Sequence, residues 1–117
     1  MGAIILATCD CGYSSKEMFL GAGMIDHQTR CNFPMYCKNC HSLFEANLYD
    51  KKILCTECGT DKVLQYDDKS LYKNGKGGYV FSWSISDVKD AKLLNANYLC
   101  PDCGNYNLLF KSCGLFD

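Results

Sequence analysis

A small, mostly-β domain with antiparallel strands and one short helix is the fold the sequence predicts, on three observations. Eight of the ten cysteines in 117 residues fall in four close-set pairs: Cys9-Asp-Cys11-Gly12, Cys37-Lys-Asn-Cys40, Cys55-Thr-Glu-Cys58-Gly59 and Cys100-Pro-Asp-Cys103-Gly104. Tyr79-Val-Phe-Ser-Trp-Ser-Ile85 alternates in period two, the mark of a half-buried strand. Glycine and asparagine cluster between the apolar runs, as in Asn74-Gly75 and Gly77-Gly78, where strands turn. A chain this short makes one domain, residues 1–117, with a modest core. Thiols in tight pairs then have a structural use, because a four-thiolate metal site offsets what a small core lacks.

The elements follow in chain order. Tyr13, Met18, Phe19 and Leu20 read as a strand leaving the first cysteine pair, broken by Gly21 with Gly23. Residues 41–55 read as a hairpin with Asp50-Lys51-Lys52 at its turn and a knuckle at each end. Lys62–Tyr66 is a short strand, and Asp67–Gly78 a polar, Gly-rich loop. In the strand Tyr79–Ile85, the residues Tyr79, Phe81, Trp83 and Ile85 share one face. The helix is expected next. Ser86 would cap it, Asp87 and Asp90 would meet its positive end, Val88, Ala91 and Leu94 recur at helical spacing, and Asn95 or Asn97 would stop it. Tyr98-Leu-Cys100 enters the last knuckle and Tyr106–Lys111 leaves it as a strand.

Compartment decides between metal and disulfides. The run Met1–Ala7 has no basic leader and is too short for a signal peptide, and no stretch approaches the ~18 apolar residues of a membrane span. A soluble, cytoplasmic protein is expected, whose thiols stay reduced and chelate. Fourteen residues separate Cys40 from Cys55, so Cys37, Cys40, Cys55 and Cys58 form one site across a local hairpin. The remaining pairs lie 88 residues apart, and joining Cys9, Cys11, Cys100 and Cys103 nests the first site inside a second built from the N- and C-terminal segments. Closure entropy grows slowly with loop length and permits this. Tandem and crossed pairings stay open. Nesting is favoured because the short hairpin closes a site unaided.

With these residues in place, the chain resembles the zinc-ribbon superfamily. Four knuckles, three followed by glycine, flank the expected hairpin, and Cys100-Pro-Asp-Cys103-Gly104 is similar to the commonest ribbon knuckle. Gly114-Leu-Phe-Asp117 resembles the tails of small prokaryotic ribbon proteins. The resemblance implies two Zn²⁺ ions, an inner ribbon over about residues 35–65, and a partner that is protein or nucleic acid. Cys9-Asp-Cys11 departs from the pattern, with one intervening residue where the usual knuckle has two.

Four thiolates leave zinc no open position, so the metal is structural and no catalytic residue is expected. Backbone amides in each knuckle would donate to the thiolates, and Lys38, Lys51, Lys52 and Lys62 would likewise offset the charge of the inner site. Cys31 and Cys113, outside the knuckles, are expected as small buried hydrophobes. His41 is expected to face solvent rather than bind metal, and His27 to lie on the surface. Phe81, Trp83 and Tyr79 are expected in the core, with base stacking as the alternative; Lys69, Lys73 and Lys76 around Tyr72 mark either a phosphate-tracking patch or a solvated loop.

A net charge of −1, with one arginine, excludes a strong overall field for nucleic acid or membrane. Gly75-Lys-Gly-Gly78 lacks the spacing of a phosphate-binding loop, and a thiol oxidoreductase would need a βαβ context. No small-molecule substrate is evident. The expected function is a non-catalytic adaptor for protein or single-stranded nucleic acid, with protein slightly preferred because the chain is weakly acidic. The alternative is a rubredoxin-like iron protein using Cys55/Cys58 and Cys100/Cys103, against which 41 intervening residues argue.

Overall fold

A computed structural model describes residues 2–21, 30–86 and 89–116. The expected His27 surface position and residues 87 and 88 lie outside these, as do the side chains of residues 84–90. Among the described residues, ten strands form three antiparallel sheets. They are β1 (Gly2–Cys9), β2 (Met18–Leu20), β3 (Asn32–Cys37), β4 (Leu43–Asn47), β5 (Val63–Gln65), β6 (Tyr72–Lys73), β7 (Tyr79–Ser86), β8 (Lys89–Leu94), β9 (Asn97–Tyr98) and β10 (Leu108–Phe116). The sheet orders are β2-β1-β10-β9-β6, β4-β3-β5 and β7-β8.

The largest sheet is organised by β1 and β10. Ala3, Ile5 and Ala7 are buried while Ile4, Leu6 and Thr8 are half-exposed, so period-two burial gives β1 one core face. The two strands pair from Gly2↔Phe116 to Cys9↔Leu108, with a register shift between Ile4 and Ile5. Backbone hydrogen bonding thus sets the N-terminal knuckle beside the C-terminal one. The sequence reading gave residues 2–9 no strand, although their β-branched residues suit one.

Two expectations of secondary structure are overturned. Residues 89–94 form no helix: β8 pairs with β7, setting Trp83 opposite Ala91 and Tyr79 opposite Leu94. Ala91 and Leu93 are fully buried, a period of two that competes with the helical spacing of residues 88, 91 and 94. So short a helix would be marginal alone, whereas pairing supplies the partner β7 needs. Nor do residues 41–55 form a hairpin around Asp50. β4 turns back onto β3 through the Cys37–Cys40 knuckle, β5 takes the other edge of β3, and residues 51–54 belong to no strand. The reason is burial: in β3 every residue from Phe33 to Cys37 is buried, so this strand takes the centre.

Within the expected loop 67–78, a short 3₁₀ turn, Lys69–Leu71, is capped by the Asp68 side chain accepting from the Ser70 amide, and β6 follows. The core between the sheets is aromatic. Tyr66 meets the rings of Tyr36, Tyr98 and Phe110 edge-on at 6.0, 6.0 and 5.3 Å between centroids. Its hydroxyl donates to the Leu99 carbonyl at 3.0 Å, so the burial leaves no polar atom orphaned there.

Gly21 joins the first two sheets. It exchanges backbone hydrogen bonds with Asn32 at 2.8 and 2.9 Å, at a φ of +80°. A Cβ there would lie 2.7 Å from Cε3 of Trp83, so the indole rests on the bare glycine backbone. Phe81 lies parallel to Trp83 at 6.2 Å and packs on Phe33, which puts both residues in the core arrangement. Tyr79 departs from it, being 56% exposed.

Candidate metal centres

Each cysteine pair sits in the same kind of turn. Cys37, Cys55 and Cys100 each accept, through the carbonyl oxygen, the amide of the residue four positions on, at 3.0–3.1 Å. Their own amides donate to Ser42, Thr60 and Asn105 at 2.9 Å. The residue closing each turn has a left-handed backbone: His41 at φ 55°, Gly59 and Gly104 at 74°. Glycine takes that conformation without cost, while histidine holds it with its Nδ1 2.7 Å from the Tyr36 hydroxyl.

The short first pair is the same turn with one residue removed. The Gly12 amide donates to the Cys9 carbonyl, the Cys9 amide donates to Tyr13, and Gly12 takes φ 100°. The departure seen in the sequence therefore shortens the loop without removing its closure.

The knuckles gather into two groups. Cys37, Cys40, Cys55 and Cys58 have all four sulfurs within 4.8 Å of one another, as do Cys9, Cys11, Cys100 and Cys103. In the inner group, sulfur distances are 3.6 Å for Cys37–Cys58 and 3.5 Å for Cys40–Cys55. In the outer group Cys9–Cys103 and Cys11–Cys100 both stand at 3.7 Å. All ten cysteines are free thiols, too far apart for disulfides. The grouping is nested. It puts Cys55/Cys58 and Cys100/Cys103 into different groups, removing the pairing on which a single iron site across them depended.

Fixed donors surround the sulfurs. The amides of Cys40 and Glu57 point at Cys37 and Cys55 at 3.4 and 3.3 Å, and those of Asp102 and Cys103 at Cys100 at 3.4 and 3.5 Å. Cys58 and Cys103 are held below the usual thiol range, first by the amides of Thr60 and Asn105, which occupy equivalent places in their knuckles. Asn39 lies 3.6 Å from the Cys58 sulfur, and the Ser42 hydroxyl 3.2 Å from that of Cys40. The knuckle amides are the donors expected from the sequence, beside the lysines, whereas these two neutral residues are not among those expectations. Their position, within or just after a knuckle, is the signal that would have found them.

Of the other candidates, Cys31 is fully buried, and burial pushes its thiol up to about 12. Cys113 is exposed, against expectation, because the register shift in the β1–β10 ladder falls opposite it. His41 is exposed and stands in neither group. Among the described residues no helix is long and apolar enough to cross a membrane. No family model, curated protein or solved structure matches the chain.

Proposed function

We propose that this protein is a non-catalytic zinc-ribbon module whose two four-cysteine groups each hold a structural Zn²⁺, and that it serves as an adaptor for a macromolecular partner. One observation carries the metal reading. A tetrahedron of thiolates ~2.3 Å from zinc has sulfur–sulfur edges of about 3.8 Å. The sulfur pairs named above, at 3.5–3.7 Å, stand at nearly that spacing in both groups. Thiols without such a purpose have no reason to converge in fours.

The residues present fit the ion. Cys37, Cys40, Cys55 and Cys58 would hold one zinc, and Cys9, Cys11, Cys100 and Cys103 the other. Bound zinc supplies cross-linking and no water activation, since four thiolates fill its coordination. The knuckle amides, with Asn39 and Ser42, disperse the negative charge the thiolates carry. Metal content and visible absorption of the purified protein test the reading together. Two zinc per chain in a colourless protein is the expected result. A red, redox-active protein containing iron would replace it with electron transfer.

A further inference from the structure

We propose that the β6 edge and outward face of the five-stranded sheet, around Lys73 and Lys111 with Tyr106 beside Lys73, bind single-stranded nucleic acid. This rests on the adaptor reading above and names its partner.

The argument begins with charge. Residues 69–117 carry six lysines against four aspartates, four of the lysines (Lys69, Lys73, Lys76 and Lys111) on or beside β6 and β10, whereas nine of the thirteen acidic residues precede residue 69. A net charge near zero therefore hides a segregation, of the kind that accompanies polyanion binding. The sheet then sorts side chains by face. Tyr98, Leu108 and Phe110 are buried on the core side, while Leu109 is half-buried and Lys111 exposed on the other. Lys73 pairs with Asn97, Leu109 with Thr8, and Lys111 with Leu6, so these rows run outward from β6 to β1. At strand spacings of ~4.8 Å, four strands span about 14 Å, the length of a few nucleotides.

The chemistry on this face suits a single strand. The Lys73 ammonium lies over the Tyr106 ring, 4.3 Å from its centre, so a phosphate-binding cation and an aromatic ring stand together. The Tyr106 hydroxyl donates to the Ser70 carbonyl at 2.8 Å, which fixes the ring. Lys69 and Lys76 flank β6 in sequence and are exposed, extending the positive charge on either side. All the cations here are lysines, which meet phosphates as point charges rather than reading guanine by a bidentate fork. Binding is thus sequence-tolerant.

Fluorescence anisotropy with labelled twelve-residue oligo(dT) and oligo(U), on metal-loaded full-length protein at 50 and 200 mM KCl, tests this. Three phosphate contacts give a log–log salt slope of about −2, so affinity should fall about 20-fold over that range. K73A/K111A should weaken binding at least tenfold at low salt and flatten the slope. Tyr106→Ala should weaken it about fivefold or more, with Tyr106→Phe near the parent. Circular dichroism and metal content of the same samples establish that each variant is folded. The proposal fails if folded, metal-loaded protein shows no saturable binding at 50 mM KCl. It fails equally if K73A/K111A binds as the parent does, or if sedimentation shows that this face instead joins two copies. Two metals without binding would sink this surface alone, whereas metal-free purified protein would sink the module itself.

Discussion

Replacing Gly21 by alanine tests whether the junction between the sheets is built as described. Two costs are separable. The residue sits at φ +80°, where an L side chain loses roughly 1–2 kcal/mol. The new Cβ would also lie 2.7 Å from two atoms of the Trp83 ring and 3.2 Å from Phe81, so the indole must shift, and overpacking of this kind costs about 1–3 kcal/mol. The sum, about 2–5 kcal/mol, is a large part of the 5–15 kcal/mol that typically holds a domain together. Urea denaturation of metal-loaded protein, with Gly21→Ala, Trp83→Leu and the double variant, separates the two. The steric part should appear as a coupling of about 1–3 kcal/mol in the double-mutant cycle, leaving the backbone part in Gly21→Ala/Trp83→Leu. A Gly21→Ala variant within 0.5 kcal/mol of the parent would refute both the left-handed turn and the contact.

The knuckles and the odd cysteines give further expectations. At His41, alanine should be about 1 kcal/mol less stable than glycine, because only glycine takes φ 55° freely; equal midpoints in urea would show that the turn is not left-handed. In native, metal-loaded protein, an alkylating reagent at pH 8 should modify Cys113 within minutes and Cys31 only on unfolding, as mass spectrometry of peptides would show. Burial raises the Cys31 thiol to about 12, so its thiolate stays scarce until pH approaches that value. Rapid modification of Cys31 at pH 8 would contradict its burial. Tyr66→Phe should cost about 1–2 kcal/mol, since the Leu99 carbonyl loses its buried donor; an unchanged midpoint in urea would show that the hydroxyl bond contributes nothing.

What the sequence disclosed divides by range. The cysteine pairs were legible because a knuckle is a local object: spacing, following glycine and turn all lie within six residues. The strand at Tyr79 was legible because its alternation is uninterrupted. The β1–β10 ladder was not, since pairing across nearly the whole chain leaves no local mark beyond an apolar run. β3 escaped notice because Phe33-Pro-Met-Tyr-Cys37 is buried on both faces and so does not alternate. The helix at residues 86–94 was misread because Val88, Ala91 and Leu94 match one period and Ala91 with Leu93 the other, and only the partner strand decides between them. In the sites, the eight cysteines could be named from sequence, whereas Asn39 and Ser42 are marked there only by their position within or just after a knuckle, and their sulfur contacts emerge from the coordinates.

The nested grouping also acquires a different meaning from the one spacing suggested. A metal at Cys9, Cys11, Cys100 and Cys103 does not have to draw the chain's ends together, since Cys9↔Leu108 already ends a paired ladder. It would lock the two knuckles at that ladder's end. The inner group likewise sits where β3 and β4 meet, with β5 alongside.

Native mass spectrometry of cysteine variants tests the two-centre arrangement most directly. Zinc counts per chain would be taken for the parent, C9S/C100S, C37S/C55S and C9S/C55S. Two independent centres predict two zinc in the parent, one in each of the first two doubles, and none in C9S/C55S. Both zinc lost from C9S/C100S with the protein still folded, or both retained in C9S/C55S, would contradict the arrangement.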